Sequence, residues 1–353
     1  MTDISHARSR ETRRRITASG TLLALSLVLA GCGGSGNNIA SAPGPVSTPP
    51  PTPTPVPAPP PGVQTGFASL FGQYNVDGSD NLRPSGPDDG SSDDFRLDVD
   101  KTNNGYTVTL LGYITSVFDA STNVGPAQPT DEPNNFYYFR NDAGTGTDNL
   151  EIFRQGPGNG RISLDYLSYG LWTMIQPHAS SETREADSQV FVFGEPTDKT
   201  ALPSKGTAVY QGIVDGYYGT YRLLGSTGTL TADFGDWTVS TELALRTNGV
   251  RIADDASLPI GAGFEIGTLT GTGDIGCPIS CGFNDIGADQ NAYWGSLNGV
   301  LEGNSVVGSF DGSFFGPNAE EAGFNFAVGT YPYDQASGFA PGPSAAGVFV
   351  GKK

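Results

Sequence analysis

The sequence predicts an all-β protein, a β-sheet domain followed by an eight-stranded antiparallel up-and-down barrel. Three observations carry this. Short runs rich in β-branched and aromatic residues recur between Gly, Asn, Asp and Pro, the pattern of strands and turns. No long stretch keeps a helical period with caps at both ends. The 353 residues include 50 Gly, which is costly inside helices and useful at turns and bulges.

In the first half, the strand-like runs include 105–111, 136–139 and 188–193. After Pro203 the pattern becomes more regular. Eight candidate strands cover 206–216, 228–234, 237–246, 263–272, 292–301, 305–315, 323–329 and 345–351. An even number of alternating strands with short links suits a closed barrel, which leaves no exposed edge. The Asp233-Phe234-Gly235-Asp236-Trp237 segment has the Asp and Gly content of a hairpin turn. Outward positions include Asp215, Asp233, Glu242 and Arg246, which a lipid-facing barrel wall would not tolerate. The barrel is therefore expected outside the lipid.

The N-terminus has a different character. Arg8, Arg10, Arg13, Arg14 and Arg15 precede an apolar run from Leu22 to Ala30, the layout of a secretory signal and too short for a permanent membrane span. The run ends in Leu29-Ala30-Gly31-Cys32, which resembles the lipobox of bacterial lipoproteins. Cleavage is then expected after residue 31, with Cys32 acylated and the chain held to a membrane by lipid. Gly33, where an Asp would signal inner-membrane retention, resembles an outer-membrane address. Residues 32–65 continue as a Gly-, Ser- and Pro-rich stalk, with Pro at 49–51, 53, 55, 57 and 59–61. Such a segment favours extended polyproline II and cannot pack a core.

The chain carries 19 basic and 37 acidic residues, a formal charge of −18. Residues 1–31 hold five Arg and two acids, so the processed chain would keep 14 basic and 35 acidic residues, a charge of −21. This balance repels nucleic acid and anionic headgroups, so no nucleic-acid partner is expected. Besides Cys32 there are Cys277 and Cys281. In an exported chain they are expected to pair as a disulfide, with half of a zinc site as the alternative.

Catalytic chemistry finds little support. His6 leaves with the signal, and His178 would be the one histidine of the processed chain. A three-histidine zinc site is therefore excluded, and no Gly-x-Ser-x-Gly elbow stands near His178. Neither a phosphate-cradling loop nor a dinucleotide fingerprint occurs in context. Acidic residues among 77–94 could offer calcium ligands, but without EF-hand spacing they read as a solvated loop. The chain is expected not to be an enzyme and to need no cofactor or metal.

Several phrases, in order, resemble the transferrin-binding protein B family of surface lipoproteins. They are Phe193-Gly194-Glu195-Pro196-Thr197, the run from Leu202 to Gly212, Leu230-Thr231-Ala232-Asp233-Phe234-Gly235, the run from Gly308 through Phe314-Phe315-Gly316-Pro317-Asn318-Ala319-Glu320-Glu321 to Gly323, and Ala346-Gly347-Val348-Phe349-Val350-Gly351-Lys352. The resemblance implies a handle domain over 66–203 and a barrel over 204–353. Family members bind transferrin, haemoglobin or complement factor H. A full transferrin receptor lipoprotein has two lobes and this chain has length for one, so transferrin does not carry over as the ligand. Beside the resemblance, residues 317–322 read as one helical turn begun by Pro and acidic at its N-terminal end, able to plug a barrel mouth.

The resulting expectation is a non-catalytic binding module, anchored to the outer membrane and displayed at the cell surface, for a protein or an iron- or haem-bearing ligand. A TonB-dependent receptor or a surface-lipoprotein translocon would be a partner. The alternatives are a lipocalin-like small-solute carrier, surface or periplasmic, and a structural lipoprotein without ligand. Binding residues concentrate on loops held by a scaffold. The segments expected to bind are 118–135, 174–187 and 275–290, with Asn134, Phe136, Tyr137, His178, Phe283 and Asn284 as candidate contact residues. Phe310, Phe314, Phe324 and Phe326 are expected to point into the barrel.

Overall fold

The computed structural model describes residues 63–75, 80–88, 95–100, 105–110, 114–119, 121–122, 135–142, 146–177, 183–247, 249, 263–276, 291–330 and 342–353, with backbone alone at 63–75, 80–88, 95, 176–177 and 183–186. The signal, Cys32, the proline stalk, Asn134, His178, Cys277, Cys281, Phe283 and Asn284 lie outside the described residues.

Eighteen strands make up the described fold. The first nine are β1 (Val63–Asn75), β2 (Asp80–Asp88), β3 (Phe95–Asp100), β4 (Gly105–Leu110), β5 (Ile114–Phe118), β6 (Phe136–Asn141), β7 (Thr147–Phe153), β8 (Leu167–Pro177) and β9 (Thr183–Gly194). They form a six-stranded antiparallel sheet, ordered β2-β1-β9-β8-β7-β6, and a three-stranded sheet β3-β4-β5. Part of the segment read as an acidic loop is in fact β2, with Tyr74 opposite Asp80 and Phe67 opposite Asp88. Its Pro84 and Pro87 are accommodated because β2 is the outer strand of the sheet, where a missing N–H breaks no central ladder.

Alternation along each strand gives the six-stranded sheet two apolar faces. Tyr137, Phe139, Leu150, Ile152, Trp172, Phe191 and Phe193 face Tyr106, Val108, Leu110 and Phe118 of the small sheet. Phe136, Tyr138, Phe153, Tyr169, Leu171, Val190 and Val192 face the other way, toward Tyr217, Phe315, Ala327, Ala346, Val348 and Val350 of the barrel. A sheet buried on both sides needs apolar residues at nearly every position, as the runs 136–139 and 190–193 have.

A 3-10 turn (Lys199–Ala201), capped by the Asp198 side chain on Thr200 N, leads into the barrel. Its strands are β10 (Thr207–Tyr218), the two-residue β11 (Tyr221–Arg222), β12 (Ser226–Asp233), β13 (Thr238–Thr247), β14 (Phe264–Ile275), β15 (Ala292–Leu301), β16 (Asn304–Phe315), β17 (Glu321–Thr330) and β18 (Ser344–Lys352). Each long strand pairs antiparallel with the next, and β10 pairs with β18 from Gln211–Lys352 to Tyr218–Ala345, closing the eight-stranded barrel. All eight strands read from the sequence are present, within a few residues at their ends. The Asp233 turn is also present: its carboxylate accepts from Gly235 N at 2.8 Å and Asp236 N at 3.2 Å.

On β13 the burial alternates strictly, with Val239, Thr241, Leu243, Leu245 and Thr247 inward and Thr238, Ser240, Glu242, Ala244 and Arg246 outward. The lumen is packed with rings. Phe310, Phe314, Phe324 and Phe326 point inward as expected and are joined by Tyr210, Phe234, Tyr293 and Phe349. Glycines make the room: a Cβ on Gly295 would stand 2.6 Å from the Phe310 ring, and one on Gly347 would stand 2.8 Å from Phe326.

Candidate functional site

Because the lumen is filled, the chemistry of this molecule lies at the junction of sheet and barrel, at the barrel mouth and on the outer wall. Asp215 projects outward from β10, as read from the sequence, but it is fully buried under the six-stranded sheet rather than in solvent. Arg161, on the β7–β8 connection, donates to Asp215 Oδ2 at 2.6 Å, and Arg222 of β11 reaches Oδ1 at 3.1 Å. Tyr169 donates to the same carboxylate at 2.9 Å and Gly216 N at 2.8 Å. Arg222 also meets Glu151 of β7 at 2.5 Å. Beside this cluster Thr173 and Tyr217 share a hydrogen bond of 2.9 Å.

Burial by itself would raise the Asp215 carboxyl, but the Arg222 and Arg161 guanidiniums outweigh it and hold the group below the usual range. Burial and the adjacent carboxylate push the Tyr169 hydroxyl well up, so it stays a donor. Two cations and two anions are thus matched, as buried charges must be. The arrangement is a junction, with no side chain presented to a reacting group.

The second junction is Glu321, the first residue of β17. Its Oε1 accepts from Asp165 N at 2.6 Å, and its Oε2 from Tyr166 N at 3.0 Å and Leu167 N at 2.9 Å. Burial raises this carboxyl above its ordinary range even though the three N–H donors oppose the shift. Glu321 is therefore structural. The helical turn expected over 317–322 is not formed. Phe315 pairs with Glu321 across β16 and β17, which leaves only 316–320 to reverse the chain. They do so through Gly316 at φ 86° and Ala319 at φ 54°. The turn nonetheless plugs the mouth: Ala319 is fully buried, and its carbonyl accepts from the Tyr210 hydroxyl at 2.8 Å. Tyr293 likewise donates to Gly323 O at 3.1 Å, so these two lumen tyrosines are committed to the backbone. An open groove of about 360 Å³ lies on the rim, lined by Pro203, Lys205, Val209, Phe234 and Lys353 among others.

The candidate contact residues fare differently. Phe136 and Tyr137 are strand residues of β6, 2% and 7% exposed. The Phe136 ring packs edge-on against Phe153 and Tyr169, and Tyr137 lies under Arg154 at 4.0 Å. Neither offers a contact surface, because both faces of the sheet are covered. The strand ends also divide the three expected segments. The strand ends Phe136 and Ile275, which flank two of them, lie at the end of the plugged mouth, where Glu321 holds the start of β8. The end of β8 and the start of β9, which bracket 178–182, lie at the other end of the same sheet.

Sequence reading missed Arg161, Arg222 and Glu151, because nothing in their local pattern marks them. It also passed over Trp294, whose signal was available: it stands out of phase with the inward Tyr293, Leu297 and Leu301. Trp237 and Trp294 are 41% and 46% exposed, whereas Trp172 is fully buried.

The fold and these junctions define a plugged antiparallel barrel backed by a β-sandwich. No family model and no curated relative matches the sequence. Among solved structures the chain is similar to a double mutant of the vaccine antigen transferrin binding protein B from Haemophilus parasuis Hp5, at 16% identity and a TM-score of 0.40, over 81% of this chain and 44% of that one. It is also similar to isotype 1 transferrin binding protein B from serogroup B Neisseria meningitidis, at 13% identity and a TM-score of 0.36, over 81% and 43%. The chain thus spans under half the length of these structures.

Proposed function

We propose that this chain is a non-catalytic binding module, acylated at Cys32 and carried outward from the outer membrane on its proline stalk, that engages a protein ligand through its external surface. The packed and plugged barrel is the observation that favours this reading. A carrier of the lipocalin type needs an empty lumen, and here Tyr210, Tyr293, Phe310, Phe314 and Phe324 occupy that space. The sequence resemblance to surface lipoproteins and the order of signal, cysteine, stalk and folded region support the same reading. Cys277 with Cys281 would brace the 275–290 segment as a disulfide.

Expression of the full chain in a Gram-negative host tests it. Metabolic labelling with an alkynyl fatty acid should mark the wild type and not Cys32→Ala. Protease added to intact cells should remove the folded region. Intact cells should then be tested against iron-bearing serum proteins and, by absorbance titration, haem. Acylation without protease sensitivity would place the chain in the periplasm and sink the display reading. Stoichiometric uptake of a small apolar solute by the wild type would favour the carrier.

A further inference from the structure

The barrel closes through β10 and β18, but not along the whole of β10. On one side the ladder with β12 runs from Val214–Ser226 down to Thr207–Asp233. On the other the ladder with β18 stops at Gln211–Lys352. Thr207 to Tyr210 therefore have a strand partner on one side only. Phe234 N donates to Gly206 O at 2.9 Å, which sets the phase of the ladder with β12. Hydrogen-bonded and non-hydrogen-bonded pairs alternate along antiparallel strands, so Ala208 and Tyr210 direct their main-chain groups to β12. The N–H and C=O of Thr207 and Val209 point the other way, off the edge and in line with Gln211, where β18 is last paired.

The open groove of about 360 Å³ lies along this edge. Thr207, Ala208 and Val209 line it, with Lys353 just beyond the last β18 pair. Phe234 and Pro203 add apolar surface, and the Val209 side chain is 47% exposed. In a chain of 37 acidic and 19 basic residues, no acidic side chain lines this groove, whereas Lys205 and Lys353 do. Asp233, opposite Thr207, is turned to the amides of its own hairpin. Lys353 is already held, its Nζ donating to Asn318 O at 2.8 Å. Lys205 is exposed and makes no ion pair among the described residues, so it is the cation left for a ligand.

We infer that this edge is a β-addition site for an extended segment of a protein partner. The segment pairs antiparallel with β10 at Thr207 and Val209, prolongs the line of β18 and brings a carboxylate to Lys205. An unpaired strand edge is a ready template for another chain. In such complexes main-chain hydrogen bonds supply affinity, and alternate side chains supply specificity. At about 3.3 Å per residue, the edge from Val209 to Lys205 takes about five residues of a partner. Side chains added beside Ala208 point toward the barrel mouth and Phe234, which favours small or apolar ones, and those beside Val209 stay on the outer wall. A second copy of this chain fits poorly, because two molecules of charge −18 repel. The inference rests on the binding-module reading and names the surface and partner chemistry for it.

The test titrates the full chain with the peptide acetyl-Val-Ala-Thr-Val-Asp-amide and follows the protein amides by NMR and hydrogen exchange. The Thr207 and Val209 amides should shift saturably, and their exchange should slow at least tenfold. N-methylation of the peptide threonine, whose N–H faces β10, should weaken binding at least tenfold. N-methylation of the second peptide valine, whose N–H faces away, should change it less than twofold. Val209→Pro removes an edge donor without touching the ladder to β12 and should also weaken binding at least tenfold, with circular dichroism and thermal melting to check the fold. Lys205→Gln should abolish the preference for this peptide over its Asn counterpart. Unperturbed Thr207 and Val209 amides, or equal affinity of wild type for the two N-methylated peptides, would overturn the site. A dimer seen in sedimentation and abolished by Val209→Pro would overturn it in favour of self-pairing. If cells displaying Val209→Pro capture a protein ligand as well as wild type does, this edge is wrong and the binding-module reading stands. If wild-type cells capture none while the peptide pairs at Thr207 and Val209, the edge stands and that reading falls.

Discussion

Arg161 of the β7–β8 connection and Asp215 of the barrel meet 2.6 Å apart in a site where the carboxylate has no exposed surface. This contact, with Arg222 and Tyr169 completing the shell, joins the sandwich to the barrel by buried charge as well as by apolar packing. Asp215→Asn should therefore destabilise the fold by about 3–5 kcal/mol, because the Arg161 guanidinium loses its carboxylate and Arg222 keeps only Glu151, neither regaining water. Urea unfolding at pH 7 measures it. The carboxyl is held below its ordinary value, so its contribution is complete above about pH 4 and disappears as pH falls through the lowered folded-state value. The acid limb of stability below pH 4 should flatten in the Asn variant. An unchanged limb would mean that other carboxylates govern acid unfolding.

Glu321→Ala should cost about 2–3 kcal/mol, because it leaves the amides of Asp165, Tyr166 and Leu167 without their acceptor. Glu321→Gln retains one acceptor oxygen and should cost about half as much. Hydrogen exchange provides the site-specific check, with those three amides losing protection before the barrel strands do.

The packed lumen makes a sharp prediction for Phe314, which contacts Tyr210, Phe234 and Tyr293. Phe314→Ala should cost about 3–5 kcal/mol and leave an apolar void. Binding of benzene or xenon to the variant and not to the wild type would show that the void is dry. Tyr210→Phe removes one hydrogen bond to the plug and should cost only about 1 kcal/mol.

Asp187 supplies a pH dependence of the opposite sign. Burial raises its carboxyl to about 6, against a weaker lowering by the Gln189 amide. A raised folded-state value means that stability is fullest below the unfolded value near 3.9 and declines as pH climbs toward 6. Asp187→Asn should remove that decline and be more stable than wild type at pH 7, by no more than about 3 kcal/mol. Thermal midpoints from pH 4 to 7 in both proteins are the measurement.

Much of the barrel was legible because its strands alternate with a period of two, and one side must be apolar to fill the lumen. Phe310, Phe314, Phe324 and Phe326 are inward for that reason. The sandwich was harder to read. β6 and β9 are apolar on both faces, so their pattern reveals strands but not what covers each side, and Phe136 and Tyr137 looked available when they are core. Asp80–Asp88 looked like a loop because Pro and Asp disfavour strands in general, although an outer strand tolerates them.

By itself, then, the sequence determined an acidic, all-β chain with an eight-stranded barrel over its second half. Local pattern carries those facts, since strand period and charge are properties of neighbouring residues. Only the tertiary structure decided that Asp215 is buried against Arg161 and Arg222, that Glu321 caps three amides of a distant connection, and that the ladder of β10 with β18 stops at Gln211 and Lys352. These are pairings between residues tens to hundreds of positions apart. They depend on barrel closure, strand register and the docking of one sheet on another, which no local window of residues encodes.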